Sequence, residues 1–457
     1  MSPRLADIAA SLQGYQPQAL PVDIAEQFLA ALAEPVTDVE QVPLLQALGR
    51  VLAADVVSPI SVPPHDNSAM DGYAFRGAQL IDGQALSLRV AGTVLAGAAW
   101  RGTVGAGECV KITTGAMMPA GLDTVVPQEL VRVEDDGSSA DAVVHLPASV
   151  VRPGNNRRLA GEDLMQGQPA LRKGERLSPA ALGLLASLGL AEVGVCRRLR
   201  VAYFSTGNEI LSPGDAPREG AVYDSNRYTI AGLLARLGCE LIDLGVVQDD
   251  PVRLASAFRR AAAQADAIIT SGGVSVGEAD HTKAVMRALG DVVFWGIAMR
   301  PGRPMAVGRL GMAMAPAATE IQGILTASAG AAGDDSYQTK SAVLFGLPGN
   351  PVAVMVTFLA LVRPTLLRMM GARAEPPVLL RAHAEAALRK KPGRTEYQRG
   401  IVTRQPDGRL TVRVTGSQGS GVLSSMVQAN GLIVLAHAQG DVAAGDEVSV
   451  MMLDGVM

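Results

Sequence analysis

Cysteine is scarce in this chain of 457 residues, which contains three, Cys109, Cys196 and Cys239. They lie far apart and form no C-x-x-C pair, so the pattern favours reduced thiols over a disulfide framework or a zinc site. The five histidines form no H-E-x-x-H motif, and surface or structural histidines are expected. The commonest cysteine and histidine metal sites are therefore disfavoured.

A strong net charge, long apolar runs and a signal pattern are also absent. The net charge of -4 gives no general attraction for nucleic acid or an anionic membrane. The most apolar windows, Pro179 to Leu190 and Val352 to Val362, are shorter than a bilayer requires and are typical of buried helices. The first residues fit no signal peptide. We expect a soluble, cytoplasmic, multidomain protein with no nucleic-acid or membrane partner.

Two common nucleotide-binding motifs are missing. The chain has no G-x-x-x-x-G-K-[ST], which excludes a Walker-type nucleotidase. Its first α/β strand ends in Ser-Thr-Gly-Asn-Glu (205–209), not in G-x-G-x-x-G, which disfavours a dinucleotide dehydrogenase.

From residue 199 onward, short apolar runs alternate with helical patterns. This alternation predicts an α/β domain (199–372) with a parallel sheet covered on both faces. The predicted strands are Arg200–Ser205, Glu240–Val247, Asp266–Thr270, Val292–Ile297 and Val343–Gly346, and the helices are Tyr228–Leu237, Val252–Gln264, His281–Leu289 and Pro351–Met370.

The other segments predict smaller parts. Residues 1–21 are expected to be flexible, residues 22–62 plus 151–198 form an elongated N-terminal domain, and residues 63–150 form a β-rich inserted domain. Alternation after residue 373 predicts a C-terminal β-domain (373–457). The Ala- and Gly-rich tract at 310–341 favours a mobile surface insertion over a functional lid.

Five polar, turn-rich segments follow strands of the α/β domain. They are residues 205–209, 248–250, 271–280, 300–304 and 347–351. Ligands of such sheets bind at the carboxyl ends of the strands, so we expect the segments to converge on one rim. That rim would carry backbone donors and hydroxyls for phosphate, two arginines and several carboxylates.

The carboxylates of the rim imply a cation. A carboxylate about 4 Å from a phosphate oxygen is repelled by about 4 kcal/mol at the effective dielectric of a protein surface. A hard divalent cation reverses this sign, and oxygen ligands without His or Cys indicate Mg²⁺. The sequence therefore predicts a phosphorylated ligand bound through magnesium.

Three further segments carry polar groups outside the α/β domain. They are Asp66 to Tyr73, Lys111 to Ala116 and Arg152 to Asp163. Taken singly, each is interpreted as capping or as interdomain ion pairing.

Taken together, these segments resemble the molybdopterin molybdenumtransferase family, to which the C-terminal domain of the scaffold protein gephyrin also belongs. The similarity runs from about Val22 to near the C-terminus. The motifs are DNSAMDGYA (66–74), TGA (114–116), GED (161–163), STGNE (205–209), YDSNR (223–227), SGGVSVGEAD (271–280), PGRP (301–304) and GLPGNP (346–351).

The resemblance implies a Rossmann-like molybdopterin-binding α/β domain, a β-barrel-like C-terminal domain and a transferase activity. Members insert molybdate into adenylated molybdopterin with Mg²⁺ and release AMP. The family is homodimeric, with its active cleft between the α/β domain of one subunit and the β-rich domain of the other. Partners implied besides the small-molecule substrates are an upstream molybdopterin adenylyltransferase and recipient molybdoenzymes.

The resemblance also assigns site residues. The catalytic positions are Asp71, Thr114, Asp163, Glu209, Asp249, Asp280 and Arg300, with Glu209, Asp249 and Asp280 as the metal ligands. The substrate-binding positions are Ser205, Thr206, Gly207, Ser271, Gly272, Gly273, Ser275, Gly277, Pro301, Gly302, Arg303, Pro348, Gly349, Asn350, Arg399 and Ser420.

Three departures from the family pattern are visible. Gly296 lies where some members carry a lysine, Arg300 and Arg303 lie where lysine is common, and the tract from Gly311 to Lys340 is longer than usual. Two other functions stay open at this point: an interaction scaffold like gephyrin, and another Mg²⁺-dependent nucleotide-processing enzyme.

Overall fold

The computed structural model describes residues 3–134, 142–274, 281–311, 341–373 and 375–454, and the backbone of Asp280. The chain divides into two compact units. The first comprises Met1–Glu40, Gly49–Ala53 and Gly194–Met457, and the second comprises Gln41–Leu48 and Ala54–Val193. Most of the predicted insertion at 310–341 lies outside the described residues.

A six-stranded sheet forms the centre of the first unit. Its strands are, in spatial order, Glu240–Val247, Arg200–Thr206, Ala267–Ser271, Ala342–Leu347, Pro304–Leu310 and Gly290–Gly296. Five strands share one direction, and Pro304–Leu310 runs antiparallel to both of its neighbours. The parallel arrangement is confirmed for the first four strands. The reversed strand Pro304–Leu310 was missed, because its polar start is typical of a turn.

The helices around this sheet begin and end where the sequence provides caps. Ser225–Leu237 begins after Asp224, whose side chain accepts a hydrogen bond from the N–H of Arg227, and ends at Gly238 with φ of 83°. Pro251–Gln264 begins after Asp250, which accepts from two backbone N–H groups in the same way. The helix Asp280–Leu289 follows the strand Ala267–Ser271 in the chain. Asp250 is thus occupied as a helix cap.

The helix Pro351–Met369 is longer than the apolar window in the sequence. Its 19 residues and mean hydropathy of 1.7 would suffice for a membrane span by length and composition, which corrects the expectation that this segment is too short. However, 78% of the apolar window is buried inside the fold, as the interpretation of a core helix requires. A π-helical turn at Phe358–Val362 precedes Pro364, whose missing N–H and ring would disturb a regular α-helix.

The C-terminal part is a closed five-stranded barrel, as predicted. Its strands are Leu379–Ala384, Thr395–Arg404, Leu410–Val414, Gly431–Leu435 and Glu447–Met452, and a short helix lies at Ser424–Gln428. Pairing of Thr395–Arg404 with Gly431–Leu435 closes the barrel. The short strand Met299–Arg300 adds to Thr395–Arg404 in parallel, which ties the loop after Gly296 to the barrel.

The N-terminal residues of the first unit are packed, although a flexible segment was expected. They form the helices Leu5–Ser11 and Val22–Leu32, and Leu5, Ile8 and Leu20 are buried in the core beside the central sheet. Short strands in and next to this unit lie at Val39–Pro43, Glu192–Cys196, Ile210–Leu211 and Val222–Tyr223.

The second unit is dominated by β-structure, as predicted for residues 63–150. Its main sheet has the spatial order Thr124–Pro127, Gly72–Phe75, Glu108–Ile112, Leu86–Val94, Val143–Leu146 and Arg132–Glu134. Two short ribbons pair Asn67–Ser68 with Arg157–Arg158 and Val56–Val57 with Pro169–Leu171. The helix Pro179–Ser187 starts at Ser178, whose hydroxyl caps the N–H of Ala181.

Candidate functional site

A cavity of about 700 Å³ lies at the carboxyl ends of the central strands. Four of the five predicted segments contribute to its lining, through Glu209, Gly272–Val274, Arg300–Pro304 and Pro348–Asn350. The fifth segment adjoins it, because the N–H of Asp249 donates to the side chain of Asn208 at 3.2 Å. The predicted rim therefore exists, and Gly419 and Ser420 of the barrel add to it.

The glycine turn at the end of Ala267–Ser271 brings three strands' ends together. Gly272 has φ of 91°, and its N–H donates to the carbonyl oxygen of Leu347 at 3.2 Å. A Cβ at Gly272 would lie 2.6 Å from the carbonyl oxygen of Thr206, so no side chain fits there. Ser275, Gly277 and the side chain of Asp280, all predicted site groups, lie outside the described residues.

The predicted hydroxyls Ser205, Thr206 and Ser271 lie beneath this turn and are at most 3% exposed. The oxygens of both serines are within hydrogen-bond distance of the hydroxyl of Tyr203, at 2.9 and 2.7 Å. Thr206 Oγ1 donates to the carbonyl oxygen of Ser271 at 3.4 Å. Sequence reasoning missed Tyr203. The available signal was its position two residues before Ser205, on the same face of the strand.

Two carboxylates of the predicted metal site lie at the rim. Partial burial, and next the negative charge of Glu209, raise the pKa of Asp249 above its usual range, while His281 acts in the opposite sense. The two acids therefore repel each other. No group of three or more potential ligands occurs among the described side chains, a set that excludes Asp280, the third predicted ligand.

The arginines of the site differ in their surroundings. Arg300 and Arg303 are exposed and line the cavity, and their guanidinium groups form no hydrogen bond or ion pair with another described residue. Arg399 is 1% exposed, and its guanidinium donates to the carbonyl oxygens of Ser417 and Gly419 at 3.2 and 2.9 Å. Arg399 thus holds the loop that carries Ser420, and its predicted contact with substrate stays a prediction.

A second cavity of about 250 Å³ adjoins the first, and Arg300, Pro301 and Gln418 line both. Burial, and next the positive charge of Arg300, lower the pKa of Arg399, which also lines the second cavity. Two guanidinium groups in mutual repulsion leave this side of the rim with an unbalanced positive charge. Such a site suits an oxyanion.

The turn Pro348–Asn350 is held from the neighbouring helix. The side-chain N–H of Asn226 donates to the carbonyl oxygen of Gly349 at 2.7 Å. Asn226 is a second site residue that the sequence reasoning did not assign, although it lies within the motif 223–227.

The second unit contains the other predicted catalytic residues. The backbone N–H and the hydroxyl of Thr114 both donate to Oδ1 of Asp71, at 2.6 and 2.8 Å. Asp163 is exposed, and its N–H donates to the carbonyl oxygen of Val62. Asp66 accepts from the N–H of Ala160 and lies 3.6 Å from Arg157, which fits the interpretation of capping and ion pairing for that segment.

Comparison with known protein families matches three models along the chain. They are the MoeA N-terminal region (domain I and II) at residues 20–189, a probable molybdopterin binding domain at 202–368, and the MoeA C-terminal region (domain IV) at 381–453. The molybdopterin molybdenumtransferase of Haemophilus influenzae is 41% identical over 415 residues, which cover 91% of this chain and 94% of that protein. The chain belongs to the molybdopterin molybdenumtransferase family.

Other relatives agree with this membership. The molybdopterin molybdenumtransferase of Nostoc sp. is 34% identical and covers 91% of this chain and 89% of its own length. The crystal structure of the molybdopterin biosynthesis MoeA protein from Pyrococcus horikoshii superposes with a TM-score of 0.75 at 26% identity. It covers 95% of this chain and 100% of that chain. Members of the family are transferases, and the match to the probable molybdopterin binding domain includes most of the rim.

The structure explains one departure from the molybdopterin molybdenumtransferase pattern. The N–H of Gly296 donates to the carbonyl oxygen of Pro17, and a Cβ at Gly296 would lie 2.6 Å from the carbonyl oxygen of Gln18. The same Cβ would lie 3.6 Å from Nε of Arg303. A lysine at position 296 is therefore incompatible with this path of the N-terminal segment, and Arg303 supplies a positive charge nearby.

Proposed function

We propose that the protein inserts molybdate into adenylated molybdopterin, with Mg²⁺, and releases AMP to give molybdenum cofactor. The observation that supports this most is the composition of the rim. A glycine turn and two exposed arginines, which attract oxyanions, share one cavity with a carboxylate that would repel them. A phosphorylated ligand fits this rim when a cation lies between it and the acids.

The side chains at the rim fit a magnesium ion. Burial, and next the negative charge of Glu209, raise the pKa of Asp249. A cation between the carboxylates of Glu209 and Asp249 would be attracted by both and would remove their mutual repulsion. Oxygen ligands are those that Mg²⁺ prefers. Glu209 and Asp249, together with the predicted ligand Asp280, would hold the ion, which would neutralise phosphate charge.

The residues of the chain then supply binding and orientation. The Gly272–Gly273 turn offers the backbone N–H of Gly273 to the phosphate, and Arg300 and Arg303 offer guanidinium groups to an oxyanion such as molybdate. Nothing among the described side chains of the cavity is arranged as an activated covalent nucleophile. The rate should therefore come mainly from positioning and charge neutralisation.

We further propose a homodimer in which a second copy completes the site. Asp71, Thr114 and Asp163 lie in the second unit, and the resemblance assigns them to the same reaction as the rim of the first unit. The second unit also exposes apolar side chains, among them Leu45 at 97% and Leu48 at 56%, which contact with a second copy would cover. A cytoplasmic location and exchange with an adenylyltransferase and with molybdoenzymes stay predictions.

The test is the release of AMP from adenylated molybdopterin. We expect release that requires both molybdate and Mg²⁺. The rate of release should fall by at least about 100-fold in Asp249→Asn, because the ion that stabilises the negative charge of the transition state would lose one of its ligands. Asp250→Asn is the matched control, since an asparagine still caps the helix Pro251–Gln264. Equal loss in both variants would contradict the metal assignment, and no release from folded wild type would contradict the function.

A further inference from the structure

A buried cluster of three hydroxyl groups joins the two strands that end at the cavity. The hydroxyl oxygen of Tyr203 lies 2.9 Å from Oγ of Ser205 and 2.7 Å from Oγ of Ser271, and the two serine oxygens lie 3.2 Å apart. The three residues are 1%, 1% and 3% exposed. We call them the hydroxyl cluster.

The register of the sheet produces this cluster. Ser205 and Ser271 are paired neighbours on the parallel strands Arg200–Thr206 and Ala267–Ser271. Tyr203 lies two residues before Ser205, so its side chain lies on the same face. Its ring packs into the apolar core that includes Ile230 and Ile269. The phenol hydroxyl is thus anchored from below and bridges both strands just before they end.

The cluster can satisfy its own hydrogen bonds. Each hydroxyl has one donor and can accept, so three O–H groups close a ring without a water molecule. Burial is the largest cause that raises the pKa of Tyr203 above its usual range, so the phenol stays a neutral donor at working pH. Without this hydroxyl, two serine hydroxyls would remain, and one buried O–H would lack an acceptor.

The cluster lies directly beneath the two loops of the rim. The residues after Ser205 lead to Glu209, and the residue after Ser271 is Gly272. Both Glu209 and Gly272 line the cavity. The carbonyl oxygen of Thr206 lies so near Gly272 that a Cβ there would approach it to 2.6 Å. A small change in the spacing of Ser205 and Ser271 would therefore be passed on to the carboxylate loop and to the glycine turn.

We propose that Tyr203 is a positioning residue, whose hydroxyl sets the distance between the loop that carries Glu209 and the turn at Gly272–Gly273 and thereby the fit of the phosphorylated ligand. Ser205 and Ser271 then act through this cluster, and not by direct contact with the substrate. The identity of the ligand in this inference rests on the proposed function. The spacing of the two loops rests only on the contacts within the sheet.

The test compares Tyr203→Phe with Tyr15→Phe. Tyr15 lies in the same unit, its hydroxyl accepts a hydrogen bond from Nε1 of Trp295 at 2.9 Å, and it does not line the cavity. We expect Tyr203→Phe to raise the KM for adenylated molybdopterin about two- to tenfold with a smaller change in kcat. Hydrogen exchange should become faster in peptides that contain 204–209 and 270–274. Tyr15→Phe should change neither quantity.

A double-variant cycle separates positioning from direct contact. If the cluster acts as one device, Ser271→Ala should add little to the KM of Tyr203→Phe. Fully additive effects would mean that Ser271 contacts the ligand directly, and would overturn the proposal. If Tyr203→Phe does not fold, Ser205→Ala takes its place in the comparison, because it removes another hydroxyl of the same cluster.

The proposal and the function fail in different ways. Unchanged KM and unchanged exchange in folded Tyr203→Phe would overturn the positioning role and leave the transferase function intact. If wild type releases no AMP, the proposed function fails, and the exchange of the 204–209 and 270–274 peptides still decides whether Tyr203 sets the spacing.

Discussion

Thr114 donates two hydrogen bonds to one oxygen of Asp71, from its backbone N–H at 2.6 Å and from its hydroxyl at 2.8 Å. These bonds, the backbone bond first, lower the pKa of Asp71 below its ordinary value of 3.8. Asp71 is therefore an anion throughout the working pH range. Its hydrogen bonds stabilise the fold above the unfolded pKa and are lost as the pH falls through the lower, folded pKa.

The first prediction follows from this pair. Thr114→Val removes the hydroxyl donor and keeps the backbone donor, so the pKa of Asp71 should rise part of the way towards its ordinary value. NMR titration of the Asp71 carboxyl measures the shift. Thr113→Val is the control, because the Thr113 hydroxyl accepts from the N–H of Ala96 and does not contact Asp71. An equal pKa of Asp71 in wild type and Thr114→Val would contradict the hydrogen bond from the Thr114 hydroxyl as a cause of the lowered pKa.

The second prediction concerns magnesium binding. Glu209→Gln should weaken the binding of Mg²⁺ in the presence of AMP by about tenfold or more, since it removes a full negative charge from a proposed ligand. Isothermal titration calorimetry measures the affinity without any turnover. Glu219→Gln, in the exposed segment after Arg218, should leave it unchanged. Equal affinity of wild type and Glu209→Gln would place the ion elsewhere.

The third prediction concerns the space at Gly296. Gly296→Ala places a Cβ against the carbonyl oxygen of Gln18 and should lower the free energy of unfolding by about 1–3 kcal/mol. Gly232→Ala is the matched control, because Gly232 is an exposed helical glycine with nothing within 4 Å of its added Cβ. That substitution should stabilise the protein by about 0.5–1 kcal/mol. Denaturant unfolding measures both changes, and a neutral Gly296→Ala would contradict the packing described.

The fourth prediction concerns the loop that carries Ser420. Arg399→Lys keeps the positive charge but loses the planar fork that contacts Ser417 and Gly419. We expect faster hydrogen exchange in residues 416–421 and a raised KM for molybdate. Arg413→Lys, on the exposed side of the barrel strand Leu410–Val414, is the control. If the KM rises while exchange of the loop is unchanged, Arg399 acts by direct contact with substrate.

The fifth prediction tests the shared site. Asp71→Asn and Asp249→Asn should each be inactive alone. After subunit exchange, half of the dimers would be mixed and carry one intact site, so about a quarter of the wild-type activity should return. Mixing two preparations of Asp249→Asn is the control. If no activity returns although mixed dimers form, all catalytic residues act within one subunit.

Much of the rim could be predicted from the sequence because strand periodicity places the carboxyl ends of parallel strands at one edge. Glu209, Gly272 and Arg300 were found in this way, since each follows an apolar run. The proposed positioning role of Tyr203 could not be predicted as readily. An aromatic residue in an apolar strand is typical of the core, and the contact of Tyr203 with Ser271 depends on the register between two strands. The strand Pro304–Leu310 was missed for a different reason, since its polar start is typical of a turn.

The burial and the hydrogen-bond partners of a charged side chain could not be predicted from the sequence either. The sequence predicts that Arg399 and Arg300 both contact a substrate. In the structure the barrel buries Arg399, and its guanidinium donates to two carbonyl oxygens of the loop. The fit at Gly296 likewise depends on the path of residues 15–20, whose packing against the sheet edge has no local signal. Such features are set by contacts between segments distant in the chain.

The most direct test of the proposed function is the release of AMP from adenylated molybdopterin by the purified wild-type chain, measured with and without molybdate and Mg²⁺. We predict release that requires both ions and is lost in Asp249→Asn but kept in Asp250→Asn. Release that does not depend on molybdate, or no release from folded wild-type protein, would contradict the proposed function.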